Sequence, residues 1–150
     1  MVAIWPEATG KIIMSYPKLY IFMRTDMKSL NTGKAMAQAA HAANLAILEC
    51  KKDKHITGLV DEWEKQGDGF GTTIVYNGDN LEFAKGVISE MDCNMDLIGW
   101  KRGIVLDRTY PIEDGPRKTH FLPIETCLWL FGDSADILLT SHLEKFTLHE

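Results

Sequence analysis

The chain has 150 residues and a formal net charge of −5, a length that suits one domain with a core of its own. Its apolar and charged fractions are those of a globular protein, and no apolar run approaches the roughly 18 residues of a membrane span. The negative balance argues against nonspecific nucleic-acid binding by the surface as a whole, while leaving room for a local basic face.

Residues 1–18 are punctuated by Pro6, Gly10 and Pro17 and read as an extended amino-terminal arm; residues 19–150 read as the domain proper. The opening MVAIWPEATG has no basic stretch and no signal-like cleavage site. Cys50, Cys93 and Cys127 have no CxxC spacing and cannot all pair internally, which favours a reducing compartment and points to the cytoplasm.

The apolar run at Leu19–Arg24 predicts a buried strand, followed by a loop to Thr32. Gly33–Cys50 predicts a helix, since alanine dominates it and no proline interrupts it. Asn31 or Thr32 is placed to cap its first turn. Lys34, Gln38, His41 and Leu45 recur at steps of four, three and four and so share one stripe. A lysine in the first turn is disfavoured by the helix dipole. Either it snorkels to solvent, or it works beside the exposed N–H groups as part of an anion site.

A second helix opens at Asp53 or Thr57 and reaches Lys65, and the glycines of Gln66–Gly71 mark a turn. Thr72–Tyr76 predicts a strand, and Leu81–Met91 a helix capped by Asp79 or Asn80, with Leu81, Ala84, Lys85 and Ile88 on its buried stripe. Cys93–Trp100 reads as a connection, where Trp100 is either a packing residue or a stacking platform for a base. Gly103–Asp107 is an apolar strand ending in a carboxylate, Arg108–Pro123 a long polar loop with three prolines, and Ile124–Phe131 the last strand. A final helix runs from Asp133 or Ser134 to about His142. This order describes an α/β fold, with parallel pairing across the helical crossovers and room for antiparallel pairing at the end.

The run MRTDMKSLNTGKAMAQAAHAA resembles the amino-terminal signature of the second class of peptidyl-tRNA hydrolases, the archaeal and eukaryotic type. Arg24, Asp26, Gly33, Lys34, Ala37, Gln38, His41 and Ala42 fall at the spacing of that signature. Its likeness to a Walker A loop is superficial, because Lys28 and Ala35 stand where that motif needs glycine and Ser/Thr. The tryptophan before a glycine and the second strand, Trp63 here, also fits the family. The resemblance implies a three-layer α/β/α sandwich around a four-stranded mixed sheet, a homodimer, no cofactor and no metal. It implies hydrolysis of the ester between a peptide or N-acylated amino acid and tRNA.

The family's second signature is a strand ending in aspartate, a threonine–glutamine pair, a proline-bearing loop and a last strand ending in glycine. Counting back from Gly132 sets Thr119–His120 on the threonine–glutamine pair and Pro123 on a loop proline, while Cys127 replaces a threonine of the last strand. Asp107 is preferred as the aspartate because a strand end fixes a carboxylate better than a loop; Asp114 is the alternative. The resemblance thus implies catalytic roles for Lys34, Asp107 and Thr119. It implies substrate contacts from Gln38, His41, Lys28, Arg108, Arg117, Lys118 and His120. Together with Arg24, Lys101 and Arg102, these cations fall in three segments that the resemblance brings to one end of the sheet.

The chain has no GxSxG elbow, HExxH helix or paired-cysteine zinc box. A Cys/His site from His41, His120 and Cys127 competes with burial of Cys127 in the core. The rival of the hydrolase is a noncatalytic RNA- or protein-binding module on the same fold.

Overall fold

A computed structural model describes residues 4–6, 12–94, 99–113 and 119–150. At the amino terminus β1 (Ile4–Pro6) and β2 (Ile12–Met14) pair antiparallel. The domain follows as β3 (Pro17–Met23), α1 (Thr32–Lys51), α2 (Thr57–Glu64), β4 (Thr73–Asn77), α3 (Glu82–Asn94), β5 (Trp100–Glu113), β6 (Thr119–Asp133) and α4 (Ile137–Leu143). The sheet order is β4-β3-β6-β5, with β3 and β4 parallel and the other two pairs antiparallel. The sheet is therefore mixed and carries helices on both faces.

Alternation along the two central strands builds the two halves of the core. Leu19, Ile21 and Met23 of β3 and Cys127, Trp129 and Phe131 of β6 face α1 and α2. Tyr20 and Phe22, with Leu128 and Leu130, face α3 and α4. Both faces of β3 and β6 are covered, which is why these strands read as continuous apolar runs.

α1 packs closely because the stripe it buries is small: Ala35, Gln38, Ala42, Ala46 and Cys50. Its first turn is capped by Asn31, whose side chain accepts a hydrogen bond from Lys34 N at 3.1 Å. Close approach forces glycine at Gly103 and Gly71, among other positions. A Cβ on Gly103 would lie 2.5 Å from the ring of the buried Trp129. One on Gly71, at φ +70°, would lie 2.1 Å from Trp63, whose indole N–H donates to Thr72 O at 2.7 Å. The tryptophan–glycine pairing of the sequence thus has a steric cause.

The main departure from the sequence reading is residues 108–123. Of that expected loop, residues 108–113 and 119–123 are instead the outer part of a long β5–β6 ribbon that extends past the end of β3. Two irregularities allow it. Val105 faces Cys127 and Leu106 faces Glu125, so Thr126 is an extra residue on β6; Arg108 and Thr109 together face Pro123. Pro123 thus sits opposite a bulge and Pro111 on an edge strand, the two places where a sheet tolerates proline. Trp100 is 5% exposed and belongs to the α3–α4 side of the core, so it offers no stacking platform.

The two edges of the sheet differ. Along β4, the carboxyl-terminal residues add a short ladder: Asn77 N–H donates to Thr147 O at 2.9 Å and His149 N–H to Val75 O at 3.0 Å. Along β5, no described strand pairs with the outer edge.

Candidate functional site

The polar face of α1 meets the ribbon at one buried amide. Gln38 is 4% exposed, and its Nε2 donates to Asp107 Oδ2 at 2.7 Å. Its Oε1 accepts from the hydroxyl of the fully buried Thr126 at 2.7 Å. A hydroxyl donor on one side and a carboxylate acceptor on the other fix the orientation of the amide. The second carboxylate oxygen, Asp107 Oδ1, accepts from Thr109 N at 2.9 Å and Thr109 Oγ1 at 3.2 Å.

These contacts determine the charge of Asp107. Partial burial pushes its pKa up, but the donors on Gln38 and Thr109, with the nearby His41, outweigh that and hold it below the ordinary carboxylate range. Three donors occupy three of about four acceptor directions on the carboxylate. One direction remains for a water or a substrate group.

Lys34 does not snorkel. Its half-buried side chain reaches the ribbon, where Nζ donates to Pro111 O at 3.2 Å and lies 5.3 Å from the ring centroid of Tyr110. Tyr110 is fully buried, and its hydroxyl meets Ser29 Oγ at 3.3 Å, which ties the ribbon to the loop before α1. Lys34 makes no ion pair with Asp107; its amine is held by the neutral carbonyl of Pro111 and the ring face of Tyr110.

Beside Asp107 a cleft of about 540 Å³ opens between α1 and the edge of β5. Residues 105–109 form one wall; His41, Asn44, Leu45 and Leu48 form the other. The Lys34, Gln38, His41, Leu45 stripe therefore faces the ribbon and the cleft.

The sequence model of the family described as peptidyl-tRNA hydrolase PTH2 matches residues 17–99, more than half of the chain. The chain belongs to the peptidyl-tRNA hydrolase PTH2 family. No curated protein matches it in sequence. In this PTH2 chain the matched range holds Lys34, Gln38 and His41 and ends before β5, which brings Asp107 to them across the sheet edge.

The structure gathers Lys34, Gln38, His41, Asp107 and Arg108 around one cleft and its ribbon wall. It puts Thr119 elsewhere. Thr119 pairs with Glu113 at the outer end of the ribbon, five residues along β6 from Ile124, the residue opposite Asp107. At strand rise that is about 16 Å. His120 lies beside it, exposed. Lys28 is exposed in the loop before α1. Asp114, Arg117 and Lys118 lie outside the described residues.

The expected cluster of cations is also thinned. Arg24 forms a two-pronged pair with Asp26 at 2.7 and 2.8 Å, Lys101 pairs with Asp53 at 3.3 Å, and Arg102 pairs with Asp92. Lys101 and Arg102 start β5, several residues from Asp107. Arg108 on the cleft wall and Lys34 on the ribbon remain, with Lys28 exposed in the loop before α1.

Cys127 carries no nucleophile. Burial pushes its thiol up to about 12, so it is protonated, and Sγ donates to Gln38 O at 3.6 Å inside the core.

Two site residues escaped the sequence reading. Thr109 follows Asp107 by two positions, the spacing at which an aspartate side chain accepts from its own backbone, so a local signal existed. Thr126 had none: alternation with Leu128 and Leu130 assigns it to the α3 face, and the extra residue in β6 turns it to α1. Gln38→Met keeps the volume and removes both bonds. It is expected to cost about 1–3 kcal/mol, from the buried Thr126 hydroxyl left unpaired, and to raise the Asp107 pKa. Denaturant melts and the pH dependence of turnover measure the two effects.

Proposed function

We propose that this chain hydrolyses the ester joining a peptide or N-acylated amino acid to the terminal ribose of tRNA. The observation that carries the proposal is Asp107, an ionised carboxylate clamped by Gln38 and Thr109 at the wall of a cleft near Lys34. Family membership supplies the substrate class.

In the proposed reaction water attacks the ester carbonyl, its oxygen bonds to carbon, and the ribose oxygen leaves with a proton. A carboxylate with a lowered pKa is a poor proton acceptor but a fixed hydrogen-bond acceptor. Asp107 then acts by orienting the water and stabilising the positive charge that develops on it. Lys34 supplies the opposite charge, for the oxyanion or the adjacent phosphate. Gln38 positions Asp107. Lys28 and Arg108 meet the tRNA backbone, and Thr119 and His120, on the outer ribbon, contact RNA beyond the reacting carbonyl. His41 faces the bound ester from α1. No described helix is long and apolar enough to cross a membrane. This reading places the protein in the cytoplasm with translation, as a homodimer, which sedimentation tests.

Purified protein incubated with N-acetyl-aminoacyl-tRNA is expected to release N-acetyl amino acid. With three cations on a single-stranded terminus, log affinity should fall with log salt at a slope of about −2. No release at any protein concentration sinks the hydrolase; affinity insensitive to salt sinks the basic footprint.

A further inference from the structure

The cleft has a direction. Lys34 holds the ribbon at Pro111, Asp107 lies between, and beyond it the walls become apolar at Leu45, Leu48 and Val105. α1 and β5 run in opposite senses here, since Gln38 meets Asp107 while Asp53, just past the helix, meets Lys101. A charged end, a reactive middle and an apolar end match, in that order, a tRNA terminus, its ester and the attached peptide.

One wall of the apolar end is the outer edge of β5. An edge strand turns alternate N–H and C=O groups outward, a ready template for an extended chain. The opposite edge of the sheet is already taken by Thr147–His149. On β5, the bulge at Arg108–Thr109 breaks the ladder and Lys34 occupies the carbonyl of Pro111. The edge that remains open runs from Gly103 to Asp107, about 13 Å, long enough for about four residues of extended peptide.

We propose that this edge receives the peptide moiety of the substrate as an added strand, parallel to β5, with its carboxyl-terminal ester at Asp107. The inference rests on the ester-hydrolase reading and adds how the peptide is held. Main-chain hydrogen bonds recognise any sequence, as a substrate with variable side chains requires, while Leu45 and Leu48 across the cleft cover the strand's apolar side chains. Asn44, exposed on the same wall, provides a further amide partner.

The test compares N-acetyl-alanyl-tRNA with di-, tri- and tetra-alanyl-tRNA, N-acetylated throughout. kcat/KM is expected to climb with length, by about three- to tenfold for each added main-chain hydrogen bond, and to level off near four residues. N-methylation of successive peptide nitrogens should lower kcat/KM at alternate positions only. Leu48→Asp, on an exposed helix position, should lower kcat/KM for the tetrapeptidyl ester about tenfold more than for the acetyl-alanyl ester. Hydrolysis that ignores length and N-methylation overturns strand addition while the hydrolase stands. Absence of hydrolysis of every ester overturns both. A Leu48→Asp change in sedimentation with the length dependence intact would assign the groove to contact between copies and likewise overturn the proposal.

Discussion

Asp107→Asn is expected to lower kcat by about 10²- to 10³-fold while tRNA affinity stays within about twofold. The asparagine retains size and can still accept from one side, but it brings an NH₂ group where Thr109 or Gln38 already donates. It also removes the charge that the proposed reaction uses to stabilise an attacking water. Asp114→Asn should have a much smaller effect, and the reverse order would move the catalytic carboxylate off the strand. The pH dependence has a definite sign. Because the folded-state pKa of Asp107 is lowered, its contribution to stability is present above the unfolded value, near about 4, and is lost as pH falls through the folded pKa. Turnover should therefore show no acid limb from this group between neutrality and about pH 4. A limb at pH 5–6 that vanishes in Asp107→Asn would contradict the clamped carboxylate.

Lys34→Ala is the second large effect. Loss of an ammonium that meets developing charge costs about 10²-fold or more. The structural loss is small by comparison: one hydrogen bond to Pro111 O and one ring contact, together about 1–2 kcal/mol. Steady-state kinetics separate the two possible roles. A fall in kcat at constant KM places Lys34 on the oxyanion, and a rise in KM at constant kcat places it on a phosphate of the bound tRNA. Full activity of Lys34→Ala would remove it from the site altogether.

How much of this was legible in the sequence differs from one end of the chain to the other. Around α1 the signal was local: an alanine-rich helix, a cap at Asn31 or Thr32 and a Lys34–Gln38–His41–Leu45 stripe follow from propensity and period, and the structure selects Asn31 as the cap. The second half depends on pairing. Pro111 and Pro123 argue for a loop when each is considered alone; they are compatible with a ribbon only once one is known to lie on an edge and the other opposite a bulge. The same irregularity hid Thr126, and the loop assignment displaced attention to Thr119, which lies at the far end of the ribbon. Bulges are set by the register of two strands, so a single-strand pattern does not contain them. Asp107 was singled out as a strand end, and the structure corrects that premise: β5 runs on to Glu113, so Asp107 lies inside the strand and is fixed there by Gln38 and Thr109.

The position of β3 also bears on how the protein is made. β3 is the third strand in the chain, yet its partner β6 pairs Pro17 with Asp133 and Met23 with Cys127. At about 5–20 residues per second of synthesis, β3 leaves the ribosome several seconds before the strand that completes its ladder. Until then Leu19–Met23, with β4 alone beside it, exposes an apolar strand edge, and closure across so long a loop is slow. The reactive constellation inherits the same delay, because Gln38 meets neither Asp107 nor Thr126 before the end of the chain has been threaded into the sheet. Nascent copies should therefore depend on chaperone capture of the amino-terminal half, and the finished protein should acquire its sheet and its Gln38–Asp107–Thr126 cluster in one late step.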